Sequence, residues 1–242
     1  MSSDRSLGQA MNMSATPSIS EKFARRAKFG AVLLGTYALL GGLLSFCGWA
    51  LDIHRLTDWQ GNGLSIQPNT TIAVAFSGVA IILLALGRER AAGYAGTIPL
   101  AIGFITVCEY ILGVDPGFDQ LLMFSREWGR RGVLIPGRMG PPSTVSWTLL
   151  GLALVIAGLF PRSRRLVPYL ALTAVAIALL TFVGSLYGAD FLYTLPRLTV
   201  IAAQTSTFIL ATGIGITLTL TDREPVRTIL GDNAGGIMDP VI

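Results

Sequence analysis

Residues 71–90 read TIAVAFSGVAIILLALGRER, an apolar run that stops at three charged residues. The stretch from Val79 to Leu86 does not alternate between apolar and polar side chains, as a transmembrane β-strand requires. A bilayer core about 30 Å thick needs roughly 20 mostly apolar residues for one helical span. The run therefore indicates a transmembrane helix that ends at a charged membrane surface.

Five further runs of the same kind occupy most of the chain. It has 242 residues, of which 52% are hydrophobic and only 13% are charged, whereas about 25% are charged in an ordinary soluble domain. We therefore predict an all-α integral membrane protein of about six transmembrane helices, with the lipid bilayer as its surroundings. The predicted spans are Phe29–Leu51, Thr71–Gly87, Ala92–Gly113, Thr144–Phe160, Leu166–Tyr187 and Leu198–Leu220.

The basic residues are distributed unequally between the two sets of span ends. Twelve of the 18 Lys and Arg residues flank one set, and six flank the other: Arg55, Arg126, Arg130, Arg131, Arg138 and Arg197. The positive-inside rule then places both termini in the cytoplasm. Residues 1–28 are predicted to form a partly disordered cytoplasmic arm, 29–220 the bundle and 221–242 a cytoplasmic tail. Topology accounts for the net charge of +4, so nucleic acid is not a predicted partner.

The chain also repeats itself at an offset of 73 residues. The first copy, at about residues 64–115, aligns with a second at about 138–190, and a partial third copy starts near residue 196. The outer loop 114–143 connects the first two copies. Each copy is predicted to be a helical hairpin that enters from the outside and returns there, so the copies are parallel. The matching residues are Pro68-Asn69-Thr70-Thr71 with Pro141-Pro142-Ser143-Thr144, and Gly78-Val79-Ala80 with Gly151-Leu152-Ala153.

Two features of this unit have a physical reading. Proline suits the first turn of a helix, and the Asn, Ser or Thr after it is expected to cap free backbone N–H groups. The glycines are expected to let neighbouring helices approach closely, as helix packing in membranes prefers.

Three motifs carry a family resemblance: Gly117-Phe118-Asp119-Gln120-Leu121-Leu122, Arg138-Met139-Gly140-Pro141 and Gly151-Leu152-Ala153-Leu154. With the two copies, they resemble the N-terminal membrane sensor region of bacterial PAS-containing sensor histidine kinases and diguanylate cyclases, over roughly Leu43–Gly236. No H-box, ATP lid or GGDEF-like segment occurs here. The resemblance therefore implies a multi-pass sensor module of a bacterial inner membrane, without enzymatic output.

Two polar residues within the predicted spans are candidate intramembrane sites. Glu109 is the one charged residue in the six predicted spans, and an ionisable residue within a membrane span is a functional candidate. It is expected either to face the bundle interior and respond to protons or a ligand, or to snorkel to the interface or pair with an outer arginine. Gln204 is expected to form a hydrogen bond between helices.

The outer loop carries the second candidate site. Its cationic and aromatic residues could bind an anionic ligand or the acidic surface of a partner, or contact lipid headgroups. The four tryptophans, Trp49, Trp59, Trp128 and Trp147, all lie near outer span ends and are expected at the headgroup layer. The candidate contact residues are Arg126, Trp128, Arg130, Arg131 and Arg138.

No catalytic residues, metal site or cofactor are predicted. His54 is the single histidine, and metal or haem sites in bundles usually need ligands from facing helices. The leading hypothesis is a sensor-like module that acts through a separate protein. The alternatives are a structural accessory subunit of a larger respiratory or photosynthetic membrane complex and, less well supported, a small transporter.

Overall fold

The computed structural model describes residues 19–131, 133, 135–186 and 201–220. All regular structure in these ranges is helical, and none of it is strand. Short 3-10 turns cover His54–Leu56 and Pro161–Leu166. The helices are α1 (Ile19–Ala50), α2 (Pro68–Ala85), α3 (Glu89–Leu112), α4 (Phe118–Leu121), α5 (Pro141–Leu159), α6 (Val167–Leu186) and α7 (Ala203–Leu218).

Five of these helices, α1, α2, α3, α5 and α6, are long and apolar enough to cross a membrane. The prediction of an all-helical membrane protein is confirmed at that level. The sixth predicted span corresponds to α7, which is apolar but has 16 residues. Residues 187–200, where a third copy was predicted to begin, lie outside the described residues, as do 1–18 and 221–242.

The first helix begins earlier than predicted. It starts at Ile19, ten residues before the predicted boundary at Phe29, so residues 19–28 extend α1 beyond its apolar part. The predicted boundary rests on hydropathy, which marks where a helix enters lipid. Hydropathy does not mark where backbone hydrogen bonding begins.

The starts of α2 and α5 are alike, but not for the predicted reason. Each begins with proline after an extended residue, Gln67 or Gly140, and neither has a side-chain cap. The Thr71 hydroxyl donates to the carbonyl of Pro68, and the Thr144 hydroxyl to that of Gly140. Threonine at these positions therefore bonds back to the preceding turn, and the prediction that the polar residues cap N–H groups is wrong.

The helices form a ring in which α1, α2, α3, α5, α6 and α7 each pack against the next, and α7 closes the ring on α1. Helices α2, α5 and α7 also contact one another across the ring. In α2 and α5, 61% of the span residues are buried. The corresponding share is 28–33% in α1, in α3 and in the span Pro161–Gly184, which contains most of α6. Three helices thus form the centre and three the periphery. Large buried core residues are Trp147, Leu150, Leu154, Phe208, Ile209 and Ile216.

Glycines set the distance between the packed helices. A Cβ added to Gly158 of α5 would lie 2.4 Å from the Cα of Gly93 in α3, and one added to Gly151 would lie 2.3 Å from the backbone nitrogen of Leu100. Without a hydrophobic force between helices in lipid, association depends on such close van der Waals packing. The predicted packing role of Gly151 therefore has a direct geometric basis, and Gly158 makes an equally close approach.

We expect Gly158→Ala to destabilise the bundle by about 1–3 kcal/mol, as overpacking does. The matched substitution Gly30→Ala is expected to be neutral or stabilising. Its new Cβ meets only the end of the Leu218 side chain at 3.3 Å, and alanine favours helix over glycine. Thermal unfolding in a nonionic detergent, followed by circular dichroism, measures both. Equal midpoints for the two variants would contradict the packing argument.

Candidate functional site

Two long connections, residues 51–67 and 113–140, lie at the same end of the bundle, here called the long-loop end. Arg126 links the second connection to the end of α1. Its guanidinium donates to the carbonyls of Trp49 and Ala50 and forms an ion pair of 3.2 Å with Asp52. The Trp128 indole also donates to Asp52 and stacks on Trp49, with ring centroids 4.2 Å apart. Arg126 and Trp128 therefore hold the protein's own loops together.

The other predicted arginines of this segment differ in their surroundings. Arg131 donates to the carbonyl of Asn62, and nearby the Gln67 amide donates to the carbonyl of Gly129 at 3.1 Å. Arg130 is exposed and has no hydrogen bond or ion pair with the residues that the structure describes. The five predicted contact residues therefore do not form one cluster with free donors.

The tryptophans are correctly predicted to lie near one end of the helices, but two of them do not face the headgroup layer. Trp49 and Trp147 are completely buried. The Trp49 indole donates to the carbonyl of Ile66 at 2.8 Å, and Trp59 meets the ring of Phe208 edge-on. These rings fill the space between the loops and the helix ends, where tertiary packing overrides their usual preference for the interface.

Gln204 bonds to a loop and not to another helix. Its amide nitrogen donates to the carbonyl of Thr57, and its amide oxygen accepts from the backbone N–H of Trp59 at 3.4 Å. The expected bond between helices is therefore wrong in its partner. The connection 51–67 reaches the start of α7 and presents backbone groups there.

Arg138 lies at the centre of an ionic cluster and is itself buried, with only 2% of the residue exposed. Its Nε donates to Asp119 at 2.7 Å and lies 3.2 Å from the carboxylate of Glu109. Its Nη2 donates to Asp115 at 3.2 Å and to the carbonyl of Val114 at 3.3 Å. Glu109 therefore pairs with an arginine of the connection 113–140, which is one of the alternatives expected for it.

The charge of Arg138 is stabilised by these neighbours. Burial alone would lower the pKa of Arg138, but the hydrogen bond that it donates to Asp119 and the negative charges of Asp119, Glu109 and Asp115 together raise that pKa above its usual range. The guanidinium is therefore a permanent cation, and removing it would leave buried carboxylates without a counter-ion.

Two of the three carboxylates have hydrogen-bond donors. Asp119 accepts from Arg138 with one oxygen and from the Asn69 amide, at 3.0 Å, with the other. Asp115 accepts from Arg138 and from the backbone N–H of Gly117. These two side chains fix α4 and the turn before it.

Glu109 differs from them. Its residue is 3% exposed, yet neither carboxylate oxygen accepts a hydrogen bond from the described residues. The neighbouring donors bond elsewhere: Thr106 donates to the carbonyl of Ile102, and the Tyr110 hydroxyl donates to that of Met139. A buried acceptor in this state is costly unless something supplies a donor.

Glu109 lines a cavity of about 430 Å³ between α2, α3 and α4. Ile105 and Phe118 in its wall are 50% and 62% exposed, so the cavity opens at the surface of the bundle. Pockets for small molecules typically have about 300–1,000 Å³, apolar walls and a few polar groups. The lining residues are Asn69, Ile72, Ile102, Ile105, Thr106, Glu109, Phe118, Asp119 and Leu122.

A second cavity, of about 440 Å³, lies in the connection 51–67 and includes His54, Asp58 and Arg131. Its acid is already satisfied, because Asp58 accepts from the backbone N–H groups of residues 61–63. His54 packs against the Trp128 ring and contacts the Ser65 hydroxyl at 3.1 Å, so it is less isolated than a solvated loop residue. The cavity at Glu109 is the stronger candidate site.

In the described part of the chain, no group of three or more His, Cys, Asp or Glu residues is arranged to hold a metal ion. Comparison with protein-family models finds no matching family, and comparisons with curated proteins and with solved structures find no match.

We expect Arg138→Gln to lower the free energy of unfolding by roughly 3–5 kcal/mol, the usual cost of breaking a buried ion pair from one side. Unfolding midpoints in detergent test this. Arg130→Gln, at an exposed position, serves as the control and should change stability by less than about 0.5 kcal/mol; an equal loss in both variants would refute the role of the cluster.

Proposed function

We propose that this chain is a sensor-like membrane module that binds a ligand in the cavity at Glu109, has no catalytic output and acts through a separate protein. One observation carries the proposal: a buried carboxylate without a hydrogen-bond donor faces a cavity that opens at the bundle surface. The ion pair with Arg138 at 3.2 Å offsets the charge of Glu109, but a carboxylate that is buried without a hydrogen-bond donor is still costly. Sites that bind ligands commonly contain polar groups of this kind.

The proposed placement is a bacterial inner membrane, with the long-loop end outside and both termini in the cytoplasm. The unequal distribution of basic residues supports it. We also propose that α2–α3 and α5–α6 are parallel repeats. In each pair the first helix is central and begins with proline, and the second is peripheral. A partial third copy would begin near residue 196, with α7 as its central helix.

A structural accessory subunit is the second candidate. It is favoured by the use of Arg126, Arg131 and Arg138 in internal bonds, which gives a firmly connected end and few free cations for an anionic ligand. The peripheral helix α1 would then contact the larger complex, because Phe29, Leu33 and Leu40 are exposed apolar residues on it.

Purification of a tagged protein in mild detergent distinguishes the two functions. The sensor proposal predicts a protein that purifies without a large complex and whose recovery of a signalling partner changes with Glu109→Gln. A large respiratory or photosynthetic complex in fixed stoichiometry, unaffected by Glu109→Gln, would establish the subunit instead.

The orientation is tested by single cysteines in a background in which Cys47 and Cys108 are replaced by alanine. We expect Glu127→Cys, in the connection 113–140, to react with a membrane-impermeant maleimide in intact spheroplasts. Ser163→Cys, between α5 and α6, should react only after the membrane is permeabilised. The reverse pattern would invert the proposed topology.

A further inference from the structure

We propose that the ligand of the Glu109 cavity is an amphipathic ammonium compound, with an apolar body and one primary or secondary amine whose N–H groups donate to the Glu109 carboxylate. This inference rests on the proposed function, because it names the ligand class of the same site.

The charge of the site favours a cation. Three carboxylates, those of Glu109, Asp115 and Asp119, surround the single guanidinium of Arg138. The cavity wall itself contains two acidic residues and no basic one. An anion would therefore be repelled, whereas an ammonium group would compensate the excess negative charge.

The acceptors favour a ligand that brings its own N–H donors. Asp119 accepts a hydrogen bond on each oxygen, whereas Glu109 has its ion pair with Arg138 at 3.2 Å but accepts no hydrogen bond from the described residues. Charge-assisted N–H to carboxylate bonds are short and about twice as strong as neutral ones. An ammonium group at Glu109 would thus supply the missing hydrogen-bond donor, because the neighbouring Thr106 and Tyr110 hydroxyls donate to backbone carbonyls.

The wall favours an apolar body of moderate size. Ile72, Ile102, Ile105, Phe118 and Leu122 supply most of the side chains around the carboxylates. A bulky aliphatic group gains from leaving water for such a wall, at roughly 25 cal/mol per Å² of apolar surface buried. A small hydrophilic cation or a bare metal ion would gain nothing from this part of the site.

The test uses the full chain in nanodiscs of phosphatidylcholine, a lipid without N–H donors. The probe is 1-adamantylamine and the matched neutral compound is 1-adamantanol, both titrated by calorimetry against empty nanodiscs. We expect the amine to bind at least roughly tenfold more tightly than the alcohol, the ratio expected for a hydrogen bond to a charged group. Equal affinity for the two compounds would overturn the proposal.

Three variants locate the binding. Glu109→Gln should abolish the preference for the amine, whereas Glu127→Gln, at an exposed glutamate of the connection 113–140, should retain it. Ile105→Trp should weaken both compounds by filling the cavity from its exposed wall without changing any charge. Unchanged amine binding in both Glu109→Gln and Ile105→Trp would place the ligand elsewhere and refute the inference, even if one variant folds poorly.

Two sources of the ammonium group can be separated in the same assay. If phosphatidylethanolamine added to the nanodiscs displaces 1-adamantylamine, a lipid headgroup is the natural source; without displacement, it is a free amine. Failure of the wider proposal looks different. If the protein binds the amine but purifies in fixed stoichiometry with a large complex, the ligand class is kept and the sensor function is rejected. If it purifies without such a complex but shows no preference for the amine, only the ligand class is rejected.

Discussion

A single buried guanidinium organises the long-loop end of this protein. Arg138 sits just before α5 and bonds to Asp115 and Asp119, while its Nε approaches Glu109 near the end of α3. Burial of so many charges is tolerated only because each stands beside an opposite one. The position of α4, the course of the connection 113–140 and the wall of the adjacent cavity all depend on this arrangement. Glu109 is held in place by the cluster but is left without a hydrogen-bond donor.

Much of the fold follows from the sequence because lipid imposes a simple rule. Backbone groups in hydrocarbon must bond internally, so long apolar runs become helices. Runs such as 71–87 therefore predict α2 closely, and glycines such as Gly78 and Gly151 correctly suggest close packing. The start of α1 at Ile19 was missed because a helix can continue past the lipid in a segment that hydropathy does not detect.

The candidate site was predictable in part. Glu109 could be singled out because charge is rare in a span, and an arginine partner was one of the alternatives. Asp119 belongs to the motif Gly117–Leu122, but its sequence context, like that of Asp115, suggests only a turn. Whether an arginine binds a ligand, lipid or its own chain depends on the path of the backbone between residues 113 and 140. Composition and spacing do not contain that path.

The bonds that join the loops share a property with an evolutionary consequence. Arg126, Arg131 and Gln67 all donate to backbone carbonyls, and every residue type carries a carbonyl. Mutation of the accepting residues can therefore proceed freely, provided that loop length and backbone course are kept. In diverging relatives we expect the donors and the tightly packed glycines to persist while their acceptors drift. Insertions and deletions in these two loops should be rarer than substitutions, contrary to the usual behaviour of surface loops.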